Sequence, residues 1–124
     1  MSFETTDDQF EIFVCECKKW LDFLGIKGWR VEFYHEDWDP GSRANTRFSL
    51  MERIAMFNLG VEWSTENTDD KVMRSAFHEV MELFFGRFEM LARSRYLDES
   101  EIDEEKHHLI RTLENAIFEV SGDL

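Results

Sequence analysis

Apolar positions recur at helical spacing between residues 7 and 24, where Ile12, Cys15, Trp20, Phe23 and Leu24 share one side of a wheel. Gly25 follows as a stop. From Trp29 to His35 the period changes to two. Trp29, Val31 and Phe33 face one way, and Arg30, Glu32 and Tyr34 the other, as in a half-buried strand. Asp39-Pro40-Gly41-Ser42 is a turn, and it holds the only proline. Two further strands are predicted over Ala44–Leu50 and Ile54–Val61, joined through Met51-Glu52-Arg53. After that the helical period returns. Thr68, Asp69 and Asp70 are cap-type residues ahead of a long helix to Arg93, and the acidic pair suits the positive end of its dipole. Asp98 or Ser100 caps a last helix running to Val120. The pattern predicts a single α+β domain over residues 1–124. Its parts are an N-terminal helix, a three-stranded antiparallel sheet and two C-terminal helices.

Composition narrows the function classes. The chain has 124 residues, 43% of them hydrophobic and 15% aromatic, which is enough apolar surface for one core and argues against disorder. Fourteen Lys and Arg face 27 Asp and Glu, a formal charge of −13. Such a chain repels phosphate backbones, so no nucleic-acid partner is expected. No apolar run approaches the length of a membrane span. The opening MSFETTDDQF is acidic where a signal peptide is basic, so a cytoplasmic location is expected. Cys15 and Cys17 stand about 200° apart on a helix, too divergent to bridge, and no second pair exists to complete a zinc knuckle. A phosphate loop and a nucleophile elbow are both missing from the sequence.

On the second predicted helix, Met73, Phe77, Val80, Phe84, Phe88 and Leu91 form an arc centred about 220° from His78. This arc is the expected core stripe. His78 and Glu82 lie opposite it, one turn apart. Met81 and Phe85 share their side, which suggests a helix covered on more than one face and a His–Glu pair in need of a partner. The partner is a metal, a basic side chain or water. The alternative is a simple i,i+4 pair on a solvated face.

The spacing His78-Glu79-Val80-Met81-Glu82 is one residue type away from H-E-x-x-H, in which ligands at i and i+4 hold zinc and the intervening Glu deprotonates its bound water. A carboxylate at the second position also binds zinc, while lowering the net charge of the site. A third ligand would come from elsewhere: His107, His108, Glu104 and Glu105 are all candidates.

The segments AFHEVMEL (residues 76–83) and HHLIRTLEN (residues 107–115), with Ile54–Leu59 between the first two helices, resemble a group of small phage-encoded metallopeptidase-like proteins related to the SprT-like zincins. The resemblance covers Trp20 to Phe118. It implies a minimal zincin architecture with Zn²⁺ as cofactor. His78, Glu82 and His107 would be its ligands and Glu79 the general base of peptide hydrolysis. It also implies a phage product acting in the cytoplasm of a bacterial host. Glu82 departs from the second His of SprT-like enzymes. Two other functions compete with hydrolysis: a catalytically inactive zincin fold binding a host protein, and a purely structural metal clamp between the last two helices.

Overall fold

A computed structural model describes residues 3–93 and 98–121, with side chains to residue 118. In chain order the elements are β1 (Phe3–Glu4), α1 (Asp7–Phe23), β2 (Arg30–His35), β3 (Ala44–Ser49), β4 (Ile54–Leu59), β5 (Glu62–Trp63), α2 (Asp69–Phe84), α3 (Gly86–Arg93) and α4 (Glu99–Ser121).

Local chemistry explains the helix starts. Thr6 caps α1 in a reciprocal box: its hydroxyl accepts from Gln9 N at 3.1 Å, and Gln9 Oε1 accepts from Thr6 N at 3.0 Å. Gln9 also donates from Nε2 to the Asn67 carbonyl at 3.1 Å, tying the start of α1 to the entry of α2. Thr68 caps α2 by accepting from Lys71 N. Gly25 leaves α1 at φ +67°, in the left-handed region that favours glycine.

The structure corrects the expected layout in four respects. First, the sheet is mixed. Its order is β2-β4-β3, with β2 parallel to β4 (Arg30↔Ile54 to His35↔Leu59) and β3 antiparallel to β4 (Ala44↔Leu59 to Ser49↔Ile54). The physical reason is β4 itself. Ala55, Phe57, Asn58 and Leu59 are all fully buried, so this strand is covered on both faces and takes the centre. The more polar β3 is left at the edge. Second, a separate two-stranded sheet pairs β1 with β5, Phe3 opposite Trp63. Its strands have two residues each, too short to show a period. Third, there are four helices among the described residues rather than three, because the predicted run from Thr68 to Arg93 breaks at Phe85. Gly86 begins α3 pressed against the Phe48 ring, where a Cβ would overlap it.

Fourth, the helix stripes are rotated. In α1 the buried residues are Gln9, Phe13, Cys17 and Leu21, while Cys15 is exposed. In α2 they are Val72, Ala76, Glu79, Val80, Leu83 and Phe84, whereas Met73, Phe77 and Phe88 of the expected arc stay partly in solvent. The centre of the α2 stripe moves by about 70° on a 100° wheel. The reason is coverage from two sides. α2 packs against α1 and also against β3, and the bisector of the two contacts is buried. α4 adds Leu109 and Ala116 to the core and packs on α3. No described helix is long and apolar enough to cross a membrane.

Candidate functional site on helix α2

The rotation of α2 leaves His78 and Glu82 on its outward face. His78 Nε2 lies 3.3 Å from Glu82 Oε1, with the two side chains 69% and 49% exposed. One imidazole and one carboxylate therefore converge one helical turn apart, as the spacing requires. In solvent such an i,i+4 pair is worth only a few tenths of a kcal/mol, so the pairing itself adds little to the fold.

Glu79 points elsewhere. It turns inward toward β3 and is buried, 7% exposed. Thr46 Oγ1 lies 2.6 Å from Glu79 Oε1 and 3.1 Å from the Glu79 carbonyl. The hydroxyl has one proton, so it donates to one of the two at a time. Burial pushes the Glu79 carboxyl above its ordinary range. The Thr46 hydrogen bond and nearby His78 oppose that rise, and Glu82 adds to it. The result is a carboxyl that holds its proton more tightly than an exposed one, fixed in position by the edge strand. Such a group suits proton transfer.

β3, the loop before it and α2 enclose a cleft of about 570 Å³, lined by Trp38, Asp39, Thr46, Arg47, His78, Glu79 and Glu82. Arg47 lies over the Trp38 ring, 4.3 Å from its centroid. The sequence reading missed the β3 contribution. Its signal was present, since Ala44, Thr46 and Phe48 share one face of β3, and a lone hydroxyl in an inward-facing series calls for a buried polar partner.

His107 is not brought to this cleft. It sits on α4 with Nδ1 2.8 Å from the Asp103 carbonyl and 3.5 Å from Asp103 Oδ2. His108, Glu104 and Glu105 line a different cleft, beside Leu83 and Arg87 at the other end of α2. Among the described residues, no three His, Cys, Asp or Glu side chains gather closely enough to hold an ion. A zinc ion fits this donor set in part. His78 and Glu82 supply two outward-facing ligands of the right chemistry, one fewer than catalytic zinc sites take from protein. The fourth histidine, His35 at the end of β2, shares a 2.7 Å hydrogen bond with the Thr5 hydroxyl and stacks on Phe10.

No protein family matches the chain, and no curated protein or solved structure matches it either.

Proposed function

We propose that the chain is a zinc-binding, metallopeptidase-like protein that works from the cleft between β3 and α2. The supporting observation is the convergence of His78 and Glu82 at 3.3 Å, with Glu79 lining the same cleft. His78 and Glu82 are the metal-facing donors, and Glu79, steadied by Thr46, is the proton acceptor. His107 is the third donor that the family resemblance implies; it lies on α4, against Asp103 and outside this cleft. The substrate on this reading is an unidentified protein, met in the cytoplasm of a phage-infected bacterium. Digestion of a peptide library by the wild type and by Glu79→Gln tests it. Cleavage by the wild type that disappears in the variant supports hydrolysis. Absence of cleavage by zinc-loaded wild type rejects it.

A second reading is favoured by one specific observation. The described residues offer only two donors, and Thr46 already occupies Glu79. A zincin scaffold that has given up catalysis and binds a host protein has both features. Capture of a host protein that survives His78→Ala distinguishes this reading from the first.

A further inference from the structure

A second cleft, of about 830 Å³, lies away from His78, between α4, the α2–α3 junction and the start of β2. Four of the chain's 14 Lys and Arg residues line it: Lys27, Arg53, Arg87 and Arg111. In a chain of charge −13 this is an unusual concentration of cations.

Two of these cations are held in place. Glu105 is buried, 5% exposed, and its Oε2 is ion-paired with Arg87 Nε at 2.8 Å. That single contact orients the guanidinium and leaves its two terminal nitrogens without a hydrogen bond among the described residues. A buried carboxylate is costly to desolvate and is a poor device for stability alone. Arg53 is the only non-glycine residue among those described with a positive φ, at 58°. It lies over Trp29, which also lines the cleft, 5.6 Å from the ring centroid. It closes the turn between β3 and β4, its N–H donating to the Ser49 carbonyl at 2.9 Å. Among the described residues Lys27, Arg53 and Arg111 have no ion-pair partner.

We infer that this cleft binds a small polyanion of the phosphate class, such as a molecule bearing a di- or triphosphate. Guanidinium forks match phosphate oxygens two at a time, and a group of four cations suits a multiply charged group better than a single carboxylate. The volume admits a small molecule and is far larger than a lone ion needs. Glu101 and Glu104 also line the cleft, but they lie about 15 Å and about 10 Å along α4 from Arg111, which leaves the Arg111 end of the cleft away from both carboxylates. With Glu105 committed to Arg87, the end near Arg111 is cationic.

Calorimetric titration with pyrophosphate at fixed ionic strength tests the inference. Saturable one-to-one binding is expected. It should weaken at least tenfold in Arg87→Gln and in Arg111→Gln, and stay within twofold in Lys18→Gln, which removes the same charge from α1. Arg111 is exposed and has no ion-pair partner among the described residues, so its variant keeps the test valid if Arg87→Gln unfolds around the abandoned Glu105. Absence of saturable binding, or equal weakening by Lys18→Gln, overturns the site. Tighter binding of citrate than of pyrophosphate overturns the phosphate assignment.

Discussion

Thr46 and Glu79 are joined across the β3–α2 boundary by a 2.6 Å hydrogen bond between hydroxyl and carboxylate. The contact links the edge strand to the motif helix, and it decides where the second residue of the motif points. Without a donor there, Glu79 would be an unpaired buried carboxyl costing on the order of 1–3 kcal/mol. Thr46→Val is therefore expected to lower unfolding free energy at neutral pH by about that amount. Urea denaturation checks it; an unchanged midpoint would show that Glu79 finds water instead.

The same carboxyl gives a signed pH dependence. Burial raises the Glu79 pKa above its ordinary 4.5, so the folded state holds this proton more tightly than the unfolded state. Its contribution to stability is fully present below pH 4.5 and is lost as pH rises through the higher folded value. Glu79→Gln removes the titration. The stability of Glu79→Gln relative to wild type should accordingly grow from pH 4.5 toward neutrality, measured by denaturation at each pH. A difference that is flat or shrinks over this range contradicts the assignment.

Gly86 and Phe48 form the joint at which α2 gives way to α3. Gly86→Ala places a methyl group into the Phe48 ring and is expected to destabilise by about 1–3 kcal/mol. Phe48→Ala in the same chain should remove most of that penalty, a coupling that a double-mutant cycle reads directly. Independent, additive effects would mean that the helix break has another origin.

Much of this joint was hidden in the sequence, and the reason is physical. Strand limits were legible because β2, β3 and β4 begin and end within two residues of the alternating stretches, and Thr68 was legible as a cap because its chemistry is local. Sheet order was not. Alternation in Arg30–His35 and Ala44–Ser49 says which strands are half-buried, yet only the doubly covered β4 decides which one sits between the others. The break at Phe85 and the rotation of the α2 stripe both depend on contacts with β3, including Phe48 and Thr46, that no helical wheel contains. For the candidate site, the facing of His78 and Glu82 followed from spacing alone, whereas the position of His107 depended on how α4 packs.

The two cysteines provide a simple probe of α1. Cys15 is exposed and Cys17 is fully buried, its thiol pushed up by desolvation and by Glu79 and Glu16. Since the thiolate is the reactive form, a thiol reagent should modify one cysteine in the native protein and both after unfolding. Fast modification of Cys17 with Cys15 protected in the native state would place the α1 stripe where the sequence alone had put it.

Zinc titration of the purified protein, with His78→Ala and Glu82→Ala alongside, bears most directly on the proposed site. Binding of one zinc ion per chain is expected, weakened at least tenfold by either substitution, about 1.4 kcal/mol or more. Zinc binding that is absent from the wild type, or that persists unchanged in both variants, would contradict a metal site at His78 and Glu82.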